Sequence, residues 1–306
     1  MRPAIAVVVP MLNAENDLEA LFTSLSNQEF DRPWELVVVD NDSDDDTANK
    51  ARALLQSSHP ANLVRSEVLV GQVPRGYATP RNAGVLATTA PLLVFCDADG
   101  AVNEDWLKAI ADSLKVHPLV ESRKFHTDDV SNRDEKMAWF EQRESFKMLG
   151  VTFATTAGLG CTRELFDALG GFDSHFDTGG EDADFSLRAR FEQGVDPFME
   201  QKAVYWTKVP QNRSKAFSKG YRDARTAVRL YHRHPDQNLL APFAISAILL
   251  SLRNLGYRLL RLRRSSTASQ IQFASDVGNI VGRLEWSVRF GVWFLRTRGS
   301  SDRRGS

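Results

Sequence analysis

Four short clusters in this 306-residue chain combine residue types that can do chemistry. Asp97-Ala98-Asp99 follows an apolar run, and two carboxylates one residue apart can reach a hard divalent cation and a neighbouring ligand from a single turn. Mg²⁺ or Mn²⁺ prefers such oxygen ligands and commonly shares them with substrate phosphates. The stretch Asp40-Asn41-Asp42-Ser43-Asp44-Asp45-Asp46 suits a turn that caps the next helix, or a loop in which Asp40 and Ser43 read the polar edge of a ligand. It is not a calcium loop, because the Asp-x-Asp-x-Asp-Gly pattern with a Glu at its twelfth position is not met. Arg81-Asn82 stands at a helix start, where a cation and free backbone amides favour an anion such as a diphosphate. Gly179-Gly180-Glu181-Asp182-Ala183-Asp184 sets carboxylates at another helix start, where one of them could serve as a general base.

These clusters need a frame, and the apolar pattern supplies one. Ile5–Val9, Leu36–Val39 and Leu92–Phe95 are short, almost wholly apolar runs, as strands covered on both faces are. Leu18, Leu21, Phe22 and Leu25 keep the i, i+3, i+4, i+7 spacing of a helix, with Asn16 and Glu19 resembling a capping box. Further helices are predicted over Thr47–Leu55, from Thr79-Pro80 to Ala87, and after Asn103 as cap, with Leu107, Ile110, Ala111 and Leu114 buried. Residues 117–135 read as a polar surface segment, 136–149 and 181–193 as helices, and Val151–Thr155 and Phe198–Trp206 as strands. Alternating strands and helices imply a parallel sheet with right-handed crossovers. Ligands of such sheets bind beyond the carboxyl ends of the strands, so the clusters at 10–13, 40–46 and 97–99 would open onto one edge.

Charge divides the chain. Residues 1–207 carry 19 Lys and Arg against 34 Asp and Glu, whereas residues 208–306 carry 19 against 5. The basic part predicts helices over 214–232 and about 270–297, separated by the uncharged run Leu239–Leu252 and the arginines between 253 and 264. Residues 299–306 read as disordered. Trp286, Phe290 and Trp293 fall at helical spacing near Arg283, Arg289 and Arg296. These helices either pack with their arginines facing water or lie on an anionic membrane surface, the inner leaflet in particular. A nucleic-acid partner is not expected, since stacking aromatics are not interleaved with the arginines on a recognisable fold.

Other classes drop out. Cys96 and Cys161 are too few for a disulfide framework or a four-cysteine zinc site and fit a reducing cytosol. Ile5–Val9 is shorter than the ~7–15 apolar residues of a signal-peptide core. No apolar run reaches the ~18–20 residues of a spanning helix, so a cytoplasmic location is expected. No Gly-x-Gly-x-x-Gly follows the first strand, no P-loop occurs, and Gly158-Leu159-Gly160 is followed by Arg163 where a third glycine would stand.

Six motifs in register complete the pattern: Val7-Val-Val-Pro10-Met-Leu-Asn13, Val37-Val-Val-Asp40-Asn-Asp-Ser43 with Asp45 and Thr47, Pro80-Arg81-Asn82-Ala-Gly84, Phe95-Cys-Asp97-Ala-Asp99, Gly170-Gly-Phe-Asp173 and Gly180-Glu181-Asp182-Ala-Asp184. Over residues 4 to about 207 the chain resembles the family 2 glycosyltransferases, inverting enzymes of the GT-A fold that use nucleotide sugars. The resemblance implies an α/β nucleotide-diphospho-sugar transferase fold over 1–207, a mostly parallel sheet flanked by helices, with a helical extension over 208–306. It also implies a UDP-sugar as the default donor, a glycan or lipid-linked acceptor, and Mg²⁺ or Mn²⁺ as cofactor. Asp40 would contact the base in a pocket shaped by Pro10, Asn13 and Ser43, and Arg81 would line the diphosphate side. Asp97 would lie near the ribose or sugar, Asp99 would ligate the metal, and Asp182 would be the base, supported by Glu181.

Two departures matter. Where many members carry a metal-binding histidine after the last core strand, this chain reads Tyr205-Trp206-Thr207, so the metal would rest mainly on Asp99 and the diphosphate. The Gln-x-x-Arg-Trp motif of processive synthases is missing, which favours transfer of one sugar at a time. Two rivals are a non-catalytic glycan- or lipid-binding scaffold and a sugar nucleotidyltransferase; the latter calls for a glycine-rich basic loop that Pro10–Asn13 does not supply.

Overall fold

A computed structural model describes residues 1–57, 60, 62–71, 74–135, 138, 140–176, 178–237, 239 and 267–290. The chain divides into two compact units: residues 1–147 with 152–209, and residues 148–151 with 210–306.

The first unit is built on a mixed sheet. Its strands are β1 (Ile5–Met11), β2 (Trp34–Asp40), β3 (Leu63–Val70), β4 (Leu92–Phe95), β5 (Ala101–Val102), β6 (Leu119–Thr127), β7 (Phe140–Gln142), β10 (Leu159–Thr162) and β11 (Phe198–Lys208). They lie in the order β3-β2-β1-β4-β10-β6-β11-β5, with β7 beside β6. β8 (Phe146–Met148) and β9 (Val151–Phe153) form a separate two-stranded ribbon.

β1 runs parallel to β2 and β4, β10 runs antiparallel to both β4 and β6, and β11 runs parallel to β6. The carboxyl ends of β1, β2, β4, β6 and β11 therefore share one edge, and the chain enters β10 from that edge. The helices are α1 (Leu18–Ser26), α2 (Thr47–Ser57), α3 (Ala78–Leu86), α4 (Trp106–Ser113), α5 (Arg163–Ala168) and α6 (Glu181–Gln193). Side-chain alternation along β1 explains the two layers. Ile5, Val7 and Val9 face a core shared with α1, α2 and α4, while Ala6 and Val8 face one shared with α3, α5 and α6.

Several sequence expectations give way here. Residues 119–127 form β6, between β10 and β11, in place of part of the polar surface segment. Its buried Glu121, Ser122 and Lys124 erase the apolar signature of a strand. Glu121 pairs with Lys124 and accepts from Thr155 N–H, and Ser122 Oγ accepts from Trp106 Nε1 and donates to the Gly158 carbonyl. In place of a helix over 136–149 stand β7 and β8, with 136, 137 and 139 outside the described residues. Gly158-Leu159-Gly160 leads into β10. β3 has no counterpart in the sequence reading, since its Arg65-Ser66-Glu67 stretch is exposed at the sheet margin. Asn16 does not cap α1, where Asp17 holds the cap position, and Asp105 rather than Asn103 precedes α4. Asn103 instead binds β11, donating to the Lys202 carbonyl (3.1 Å) and accepting from Val204 N–H (2.8 Å).

In the second unit α7 (Arg213–Arg233) packs along α8 (Thr267–Arg289). Residues 240–266 and 291–306, with the arginines at 253–264 and Trp293, lie outside the described residues. Glycine lets the two helix backbones touch: a Cβ on Gly220 would sit 1.9 Å from the Ser275 carbonyl oxygen, and one on Gly278 2.1 Å from that of Phe217. Across the pair Tyr221 Oη donates to Glu285 (2.7 Å) and accepts from Trp286 Nε1 (2.9 Å). Forcing a methyl into such a contact costs about 1–3 kcal/mol. Gly220→Ala should therefore lower the urea midpoint and speed amide exchange in α7; an unchanged midpoint and exchange rate would contradict this packing.

Candidate active site

The β1 and β2 ends build the first wall. Asp40 closes β2 and is buried; its Oδ1 accepts from Ser43 Oγ (2.6 Å) and its Oδ2 from Ser43 N–H (3.3 Å). Ser43 Oγ also accepts from Asn13 N–H (3.0 Å), and Asn13 Oδ1 accepts from Asp44 N–H (2.8 Å). Half-buried Pro10 pairs in register with Val39 at the end of β1. Pro10, Asn13, Asp40 and Ser43 thus form one bonded corner, and Thr47 Oγ1 secures it by accepting from Ala14 N–H (2.7 Å). Exposed Arg75 closes its rim, donating to the Asp42 carbonyl (2.6 Å) and the Asp44 carboxylate (3.0 Å).

Arg81 occupies the centre. Its guanidinium, 3% exposed, donates through Nη1 to the Tyr77 carbonyl (2.7 Å) and Glu181 Oε1 (3.2 Å), and through Nη2 to Asp97 Oδ1 (2.5 Å). Burial disfavours its charge, but Asp97, Glu181 and Asp182 outweigh that and hold the guanidinium protonated. Two atoms of this cluster, Arg81 Nε and Glu181 Oε2, are buried with no hydrogen-bond partner.

The acidic turn after β4 is fixed from β11. Tyr205 Oη accepts from Asp97 N–H and donates to the Asp97 carbonyl, both at 3.0 Å. Gly100 permits this approach, since a Cβ there would lie 1.9 Å from Tyr205 Oη. Asp99 sits nearby, its carboxyl pushed up to about 6 by burial, then by the charges of Asp97 and Asp17. Lys208 opposes that shift, although its ammonium is itself paired with Asp17.

α6 supplies the last two acids. Gly180 caps it at φ 99°, and Glu181 and Asp182 open its first turn. Burial first, then the Asp182 charge, pushes Glu181 up to about 8 against the pull of Arg81. Burial also raises Asp182, while N–H groups of Ala183 and Thr156 favour its ionised form.

A divalent cation fits this site in one way. Among the described residues no three His, Cys, Asp or Glu side chains group as a metal cage. Asp99 is a half-buried carboxylate whose charge is disfavoured by desolvation and by its acidic neighbours, which suits a cation that takes its remaining ligands from a bound diphosphate and water.

Arg81, Asp97, Glu181 and Asp182 are brought together, and Asp40, Ser43, Asn13 and Pro10 form a neighbouring corner on the same edge. Tyr205, Thr156, Lys208 and Asp17 escaped the sequence reading. Only Tyr205 left a signal there, a polar-tipped ring inside the short apolar stretch Ala203–Trp206.

The comparisons agree with this architecture. The Glycosyl transferase family 2 model matches residues 6–170, and the chain belongs to that family. It is 24% identical over 186 residues to glycosyltransferase AglE of Haloferax volcanii, covering 58% of this chain and 59% of that one. It is 36% identical over 123 residues to a glycosyltransferase of Mycobacterium tuberculosis, covering 40% and 49%. The matches thus span about half to three fifths of these relatives' own length. Among solved structures, the Pyrobaculum calidifontis mannosyltransferase PcManGT, in complex with GDP-Man and Mn²⁺, aligns with TM-score 0.61 and 20% identity over 93% of this chain and 88% of that one. Staphylococcus aureus TarS 1–349 in complex with UDP aligns with TM-score 0.53 and 16% identity over 95% and 92%. The fold is GT-A.

The Glu181 shift has a measurable consequence. Its value lies near 4.5 when unfolded and near 8 in the fold, so its proton stabilises the fold fully below about pH 4.5, an effect lost as pH rises through about 8. Asp99, raised from 3.8 to about 6, adds to the acid end of this fall. Thermal stability of the free protein should decline across that window by at most about 1.4 kcal/mol per pH unit for one proton. Glu181→Gln should flatten the decline; the wild-type slope in the variant would contradict the shift.

Proposed function

We propose that the chain is an inverting glycosyltransferase that moves one sugar from a nucleoside-diphosphate donor to an acceptor hydroxyl. The observation that carries this reading is the Arg81 bridge, which joins the acidic turn after β4 to the acidic start of α6 around one buried cation. Asp40 and Ser43, with Pro10 and Asn13, would hold the nucleotide base, and Asp97 would face the ribose or sugar. Both terminal nitrogens of Arg81 are engaged by protein oxygens, so it would act on the diphosphate through its charge. Asp99 would hold Mg²⁺ or Mn²⁺, which when bound neutralises charge on the departing diphosphate.

Of the two carboxyls at the start of α6, Glu181 is pushed up to about 8 by burial and keeps its proton near neutrality, while Asp182, also raised by burial, has the Ala183 N–H on its carboxylate to favour the ionised form. Half-exposed Asp182 is then the group able to take the proton of an incoming hydroxyl, and neutral Glu181 adds no second charge beside it. A single base and no second nucleophile correspond to one displacement with inversion. The solved neighbours hold GDP-Man or UDP, which supports a GDP- or UDP-sugar as donor. For the acceptor we propose a glycan or lipid-linked sugar at a cytoplasmic membrane face. No helix among the described residues is long and apolar enough to cross a membrane. The net positive charge of 208–306 and the exposed Val281, Leu284 and Val288 of α8 suit peripheral attachment to anionic lipid.

Asp182→Asn should cut turnover of GDP-mannose or UDP-glucose about 10²- to 10⁴-fold, as loss of a general base does, while calorimetric binding of GDP and UDP persists. Undiminished turnover would remove the base assignment. Asp99→Ala should abolish the stimulation by Mn²⁺ that EDTA reverses in the wild type; full metal response in the variant would contradict the role of Asp99. The full chain should float with phosphatidylglycerol vesicles and not with phosphatidylcholine alone, and equal flotation would contradict charge-guided attachment.

A further inference from the structure

Behind Asp182 lies a polar cluster to which the reading above gives no role. On β6, Glu121 and Lys124 are 0% and 2% exposed and joined in an ion pair. Glu121 Oε1 also accepts from Thr155 N–H (3.1 Å) and Thr155 Oγ1 (3.4 Å), while its other oxygen is buried without a partner. The segment holding Thr155 is laced to the start of α6. Ala154 N–H donates to Ser186 Oγ (3.1 Å), and Ser186 Oγ donates to the Asp182 carbonyl (2.9 Å). A run of bonds therefore leads from Lys124 through Glu121, the adjacent residues Thr155 and Ala154, and Ser186 to the backbone of Asp182. A buried ion pair is weak evidence for stability, since an apolar pair of similar volume often serves as well. Position is the benefit this arrangement offers.

The geometry points to Glu121 as a positioning residue: locked by Lys124, its carboxylate fixes Thr155 and with it Ala154, which through Ser186 holds the backbone of Asp182 at the start of α6 in one orientation. This rests on Asp182 being the base. Glu121 acts through the backbone of 154–155 and through Ser186, and its loss should leave the nucleotide corner at Asp40 and Ser43 untouched.

The test uses two double variants of the full chain, each of which removes both buried charges so that neither is stranded. Hydrolysis of UDP-glucose and GDP-mannose with Mn²⁺ reads kcat, and calorimetry with UDP and GDP reads nucleotide affinity. E121L/K124M withdraws the acceptor from Thr155, and kcat should fall about ten- to a hundredfold, as small misplacements of catalytic groups do, with nucleotide affinity unchanged. E121Q/K124M keeps an oxygen for Thr155 N–H and should recover most of the lost kcat. If E121L/K124M does not fold, Glu121→Asp, which keeps the charge but retracts it by one methylene, carries the same expectation against wild type. Equal kcat in the Leu and Gln variants, or a loss of nucleotide affinity matching the loss of kcat, would overturn the proposal. Asp182→Asn separates the two readings. Full turnover there removes the base itself, whereas low turnover there beside wild-type kcat in E121L/K124M overturns only the role of Glu121.

Discussion

A guanidinium taken out of water must be met by carboxylates, and at Arg81 that requirement ties distant parts of the chain together. Its partners Asp97 and Glu181 lie 16 and 100 residues away in sequence. Removing Asp97 would leave the buried guanidinium without its ionised partner, a loss of about 3–5 kcal/mol in comparable pairs. The bridge therefore fixes where α6 begins relative to the turn after β4. It also sets the local charge: with one cation among Asp97, Glu181 and Asp182, the most buried carboxyl, Glu181, retains its proton.

Around that bridge each wall is held by hydrogen bonds made within the protein. Tyr205 grips the backbone of Asp97 from the last long strand, and Gly100 leaves room for its ring. The Asp40 corner is closed by Ser43 and Asn13, whose mutual bonds span 30 residues of sequence. Such prior bonding keeps functional carboxylates oriented before a ligand arrives, which is how a site avoids reorganising during reaction. Asp99 is the exception. It is half-buried near like charges and gains most from an added cation.

The sequence exposed the parts of this design that repeat along the chain. Strands β1, β2 and β4 were legible because both faces are buried and their residues are mostly apolar, and the acidic clusters were legible because they end or follow those strands. β6 was not, since Glu121, Ser122 and Lys124 satisfy one another and their neighbours inside the sheet, a fact visible only once β10, β11 and α4 are in place. β7 and β8 carry alternations too short to outweigh a helix-like polar pattern. In the site, residue types announced Asp97, Asp99 and Asp182, but the commitment of Arg81 to two carboxylates depends on a contact across 100 residues that no spacing encodes.

The central claim is that one pocket holds the nucleotide at Asp40, the diphosphate at Asp99 and the reacting sugar before Asp182. A crystal structure with Mn²⁺ and a non-hydrolysable nucleotide sugar tests it directly. The account predicts the base against Asp40 and Ser43, the cation on Asp99, and Asp182 within about 3 Å of the place an acceptor hydroxyl must occupy. A nucleotide bound on another edge of the sheet, or an Asp182 facing away from the anomeric carbon, would contradict it.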